Sequence, residues 1–159
     1  MGLFFRWLNI TIKKKLLSND TMKGIILMSK VVDMVNSIKG LRYIGGCTEG
    51  DIQRAEKLLG LRFPDEYREY LLEFGSITFK GVELTGLNIT GHLNVVDATL
   101  QERKYSPSFP KNMFVIENMA IDSIFIVGDD KGNVYTLQYD KIRKIASSFT
   151  EFLQRSKYR

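Results

Sequence analysis

Cysteine, histidine and tryptophan occur once each in these 159 residues, and proline three times. With Cys47 alone, an intramolecular disulfide is excluded, and the single thiol suits a reducing compartment. Cys47 follows Gly45-Gly46 and reads as a small residue in a turn, with no base at helical spacing to activate it. With His92 alone, a zinc site of the usual several Cys and His ligands is out of reach. Ser/His/Asp and Cys/His systems need an imidazole beside the nucleophile and a third group to orient it, and no motif supplies that arrangement. His92 follows Gly91 and reads as a loop histidine on the surface. No apolar run reaches the roughly 20 residues needed to span a bilayer. Neither a phosphate-binding glycine loop nor a dinucleotide fingerprint is present. Asp129, Lys131, Asn133 and Asp140 echo the spacing of a calcium loop. However, Val134 stands where that loop needs glycine, and Lys131 puts a positive charge where it needs a ligand. The expectation is no cofactor, no metal and no enzyme activity.

The chain does have a balanced globular composition, 44% hydrophobic and 26% charged, in a length that suits one domain. Its formal charge of +5 comes from the N-terminus. Residues 1–30 carry six basic side chains and one acidic one, leaving 17 of each in residues 31–159. A nucleic-acid-binding domain concentrates positive charge where it meets phosphates. A neutral body argues against direct nucleic-acid binding.

Residues 1–27 stand apart as an extension, with 28–159 as the domain proper. Phe4, Phe5, Trp7, Leu8, Ile10 and Ile12 precede Lys13-Lys14-Lys15, the reverse of a signal peptide's basic-then-apolar order. As a helix the segment would place Lys14 and Lys15 on its apolar side, a poor pattern for a membrane-surface helix. Gly2 lacks the Ser or Thr at position 6 expected for myristoylation. We read the segment as an extension that folds back and packs. The alternatives are a partner-binding arm, a membrane-surface anchor over residues 1–17, or a start at Met22 or Met28.

The first helix is expected over Ser29–Lys39, with Val31, Val35 and Ile38 inward and Gly40 at its end. Leu41 to Cys47 reads as a connection. Thr48 and Asp51 form a capping box opening the next helix, in which Ile52, Ala55 and Leu59 share one side and Gly60 ends the run. Pro64 suits a helix start, Tyr67, Leu71 and Phe74 recur at i, i+4, i+7, and Gly75 closes the helix.

Beyond Gly75 the period changes. Short strands are expected on either side of Lys80-Gly81, a further strand closing at Val95-Val96, then a short helix capped by Asp97 with Leu100 as its main apolar residue. After the Pro107–Pro110 loop come strands at 112–117, 123–128 and 133–139, with a hairpin turn at 129–133. Ser148 and Glu151 cap a last helix with Phe149, Phe152 and Leu153 inward. Helices, then a meandering sheet, then a helix define an α+β domain with a mostly antiparallel sheet flanked by helices.

Ala-Glu-Lys-Leu-Leu-Gly (55–60), Phe63-Pro64 and Tyr-Arg-Glu-Tyr-Leu-Leu-Glu-Phe-Gly (67–75) resemble the signature of the SUKH superfamily. That group joins yeast cell-wall-synthesis regulators of the Smi/Knr type with many bacterial immunity proteins. The resemblance runs from about Val31 to Leu153. It departs where many members continue into an Asn-Gly-Gly turn and this chain has Phe74-Gly75-Ser76. It implies a cytoplasmic immunity protein whose partner is a cognate toxin, a nuclease among the options. The alternative it implies is a regulatory or scaffold module.

Candidate contact residues come from the charge pattern. Asp65, Glu66, Glu69 and Glu73 lie away from Tyr67, Leu71 and Phe74, and two like-charge pairs at i, i+4 each cost a few tenths of a kcal/mol. Arg62 and Arg68 are expected to offset part of that, and nothing in the pattern buries the carboxylates or drives their pKa values apart. The stripe is either a solvated face or a surface for a basic partner, and the Asp129-Asp130 turn is a second acidic candidate.

Overall fold

The computed structural model describes residues 30–159. The readings made for residues 1–27, and Ser29 as a cap, lie outside the described residues.

Helix α1 (30–36) buries Val31 and Val35 completely and Ile38 just beyond its end. A two-residue strand, β1 (Arg42–Tyr43), then crosses what the sequence presents as a plain connection. In α2 (Glu49–Leu59) Thr48 and Asp51 form the capping box: the Thr48 hydroxyl accepts from the Asp51 N–H, and the Asp51 carboxylate accepts from the Thr48 N–H at 2.8 Å. Gly60 ends α2 at φ 67°, where any side chain would be strained. Pro64 sits one residue before α3 (Asp65–Phe74), with φ −59° already in the range that proline fixes.

Two antiparallel sheets follow. In the first, β2 (Ile77–Phe79) pairs with β1 on one side and β3 (Val82–Leu84) on the other. The second is a meander of β4 (Met113–Asn118), β5 (Ile124–Asp129), β6 (Val134–Gln138) and β7 (Lys141–Ala146). The sheets are stitched where the Thr85 N–H donates to Ile116 O at 2.8 Å and the Thr85 hydroxyl donates to Val115 O at 2.7 Å. Between them runs α4 (Val95–Tyr105), and α5 (Phe149–Ser156) closes the described chain.

Three local readings are corrected here. Val95 and Val96 do not close a strand but open α4. Asn94, not Asp97, caps it, because its side-chain oxygen accepts from the Val96 and Asp97 N–H groups. Leu100 is exposed, while Val95, Val96 and Thr99 carry the buried side. Strand β7 (KIRKIA) escaped the sequence reading since an edge strand has no second neighbour and tolerates charge along its length.

The main core lies between α3 and the sheets. Tyr67 is its hub, with ring centroids 4.6 Å from Phe114, 5.2 Å from Phe63 and 5.3 Å from Phe149. Tyr70, which the i, i+4, i+7 pattern omits, is as buried as Tyr67. A smaller cluster of Phe109, Met113, Val115, Val127 and Leu137 lies on the other face of the four-stranded sheet. Close backbone approach explains Gly86, where an added Cβ would fall 1.6 Å from Gly75 O.

Candidate functional site

The N-terminus of α3, the β5–β6 turn and the N-terminus of α5 meet around a cleft of about 240 Å³. Tyr67, Phe114, Ile116, Val134 and Phe149 form its apolar wall, and Asp65, Glu66, Asp129 and Lys131 stand among its polar lining. The six candidate carboxylates therefore separate into two groups in space. Asp65, Glu66 and Asp129 line the cleft, with Asp130 next to them in the turn. Glu69 lies within electrostatic reach of Glu66, Glu73 and of Asp33 on α1.

Glu66 and Asp129 are tied into the fold. The Glu66 carboxylate accepts the Thr150 N–H at 2.8 Å, capping α5 from another helix and gaining from the positive end of that helix. The Asp129 carboxylate organises its own hairpin. It accepts from the Asn133 N–H at 2.8 Å, the Lys131 N–H at 3.0 Å, the Asn133 side chain at 2.9 Å and the Tyr135 hydroxyl at 2.9 Å. Burial pushes the Asp129 carboxyl up, but these hydrogen bonds outweigh it and hold the group below the usual carboxylate range.

Asp65 is different: its side chain is 81% exposed, and its ion pair with Arg62, at 3.9 Å, is a loose surface contact of little consequence. Asp130 is also exposed. Arg68, expected to relieve the stripe, turns the other way. It pairs with Glu56 at 2.5 Å and with Glu49, while Glu56 also accepts the Phe63 N–H at 2.8 Å. That network ties α2 to α3 and leaves the stripe's charge unrelieved by Arg68.

Glu69 contradicts the expectation that nothing buries the stripe. Its residue is half-buried, and its Oε2 has no hydrogen-bond partner among the described residues. Burial raises its carboxyl from the ordinary 4.5 to about 7, and the charges of Glu73, Glu66 and Asp33 add to the effect. Like-charge spacing at i, i+4 was legible in the sequence. The burial was not, because it depends on tertiary packing that no local pattern encodes.

Cys47 and His92 occupy unremarkable places. Desolvation, and then the Asp51 charge, push the Cys47 thiol up to about 11, so it stays a neutral thiol packed against the core. His92 is exposed, 3.9 Å from Glu83. Among the described residues no group of three or more His, Cys, Asp or Glu is placed to hold a metal ion. Among them, too, no helix is long and apolar enough to cross a membrane.

The described residues thus form an α+β body with a carboxylate-lined cleft beside an acidic helix edge. The family model described as SMI1-KNR4 cell-wall matches residues 49–153, and the chain belongs to that SUKH family. Domains of this family are protein-interaction modules. No curated protein matches the chain.

Proposed function

We propose that this protein is a cytoplasmic immunity protein: it binds a cognate protein toxin and blocks the toxin's active surface by occlusion, performing no catalysis itself. Family membership carries this reading. The carboxylates of α3 and of the β5–β6 turn support it, because a local negative potential suits the phosphate-binding surface of a nuclease toxin. Such a surface speeds encounter by electrostatic steering and then excludes nucleic acid sterically. Glu66 and Asp129 also hold the fold, and we take the exposed Asp65 and Asp130 as the leading contacts, with Glu69 and Glu73 beside them as weaker candidates. We take residues 28–159 as the binding domain and 1–27 as an extension to it.

Asp65→Asn combined with Glu69→Gln and Glu73→Gln spares the Glu66 cap and tests the surface. Association with the toxin should slow by about tenfold at low salt, with the difference shrinking as salt screens the charges. An unchanged association rate together with full protection of toxin-expressing cells would place the interface elsewhere. A second reading is a regulatory module of cell-wall synthesis, favoured by the description of the matched family. A cognate toxin encoded beside this gene supports immunity, and a cell-wall defect on its deletion supports regulation.

A further inference from the structure

The two edges of the four-stranded sheet are finished differently. Along β4 the backbone meets other elements: Ile116 O accepts from the Thr85 N–H at 2.8 Å, and the Val115 N–H donates to the Thr99 hydroxyl at 3.0 Å. Along β7 the stretch Lys141–Lys144 makes no backbone bond to another element among the described residues, and all four residues are exposed. The two-residue connection Tyr139-Asp140 makes Gln138 and Lys141 a hydrogen-bonded pair. Alternation along the ladder then turns the N–H and C=O groups of Ile142 and Lys144 outward. An edge of this kind is a template for one more strand.

Charge decides which strand. Lys141, Arg143 and Lys144 are all cationic, and none of them is in an ion pair among the described residues. Pairing Lys141–Lys144 antiparallel with the same run of a second copy sets Lys141 opposite Lys144, which disfavours a dimer through this edge. Nucleic acid is also poorly served. Strand alternation sends Lys141 and Arg143 to one face of the sheet and Lys144 to the other, so the cations do not form one phosphate-binding surface. A strand rich in carboxylates meets all three. The remaining position is apolar: Ile142, 43% exposed, lies across from Leu137, which lies across from Phe125. That row belongs to the face carrying the smaller core cluster, and an apolar residue on an added strand would lengthen it.

We propose that β7 is a docking edge to which an extended acidic segment of a protein partner adds as a further strand. Main-chain hydrogen bonds to Ile142 and Lys144 hold it, its carboxylates face Lys141, Arg143 and Lys144, and an apolar side chain packs beside Ile142. This surface is separate from the acidic edge of α3, and the inference stands whether or not the partner is a toxin.

The test needs no toxin. The full chain, ¹⁵N-labelled, is titrated at low salt with acetyl-Thr-Glu-Glu-Val-Glu-Thr-amide, whose Glu-Glu-Val-Glu run in antiparallel pairing faces Lys144, Arg143, Ile142 and Lys141 in turn. Saturating shifts are expected along β7. Amide exchange should slow severalfold at Ile142 and Lys144, whose N–H groups gain a partner, and change little at Arg143, already bonded to β6. The same peptide N-methylated at its valine and first glutamate keeps the charge, loses the donors, and should bind at least about fivefold more weakly. Ile142→Pro removes an outward N–H where an edge strand accepts proline, and should abolish binding. Arg143→Glu combined with Lys144→Glu should weaken it about tenfold, with the difference shrinking as salt is added. Absence of saturating shifts along β7, equal binding of the N-methylated peptide, or indifference to both variants would each overturn the docking edge. Protection of Ile142 and Lys144 that rises with protein concentration alone would give the edge to a second copy instead. Shifts there with an oligothymidylate but not with the peptide would give it to nucleic acid, and either result overturns the proposal.

Discussion

Tyr67 and Tyr70 on the buried side of α3, and Glu66 and Glu69 along its acidic edge, are polar groups taken wholly or partly out of water, yet the fold treats them differently. Both tyrosine hydroxyls donate to Thr85 O, at 3.2 and 2.9 Å, so their burial leaves no donor unmet. Burial also pushes both phenols well above their ordinary range, which keeps them neutral donors. On the acidic face Glu66 finds the Thr150 N–H, but Glu69 keeps an oxygen without a partner among the described residues. Tyr67, Tyr70 and Glu66 therefore hold the molecule together, while Glu69 carries its charge at a cost in stability.

The sharpest way to break that comparison is to remove Tyr67. Tyr67→Ala deletes the ring between Phe63, Phe114 and Phe149 and strips one donor from Thr85 O. A loss of about 3–5 kcal/mol in denaturant unfolding is expected, the range for large aromatic truncations in a core. A loss below about 1 kcal/mol would mean that the hub lies elsewhere. Glu66 tests the acidic edge with a smaller effect. Glu66→Ala should cost about 1 kcal/mol, as for other lost helix caps. Amide exchange should quicken in the first turn of α5, with Glu66→Gln restoring most of the protection. Unaltered exchange at Thr150 would separate Glu66 from that helix.

How much of this contrast was readable in advance follows from the range of the interactions. The Thr48/Asp51 box, the left-handed Gly60 and the Ser148 cap are made within a few residues, and each appeared where the sequence placed it. The inward set Tyr67, Leu71 and Phe74 follows from helical period alone. Tyr70 did not, because a wide apolar face needs layers on both sides, and the sheets that supply them come later in the chain. Glu66 capping α5 spans 84 residues, and no local pattern encodes such a bond. Asn94 and Asp97 are both residue types that cap helices, and only the extended backbone at Asn94 marks it as the cap. The acidic run on α3 was visible as composition. Which carboxylates are spent inside and which face outward depended on the tertiary fold.

Glu69 sharpens the comparison with the smallest effect and a definite sign. Its folded carboxyl titrates at about 7 against an ordinary 4.5, so between those values the folded state holds a proton that the unfolded chain has released. Stability from this group therefore falls as pH rises from about 4.5 to about 7, and the penalty is complete above that window. Because the side chain is only half-buried, solvent screens much of it, and about 0.5–1 kcal/mol is expected. Glu69→Gln removes the ionisation while keeping the shape. The variant should be more stable than the parent by that amount at pH 8, with the advantage fading towards pH 5, where the parent's Glu69 is itself neutral. Melting curves at the two pH values decide it. An equal gain at both would assign the effect to helix propensity rather than to charge, and a loss at pH 8 would show that the Glu69 carboxylate is stabilising in its ionised form.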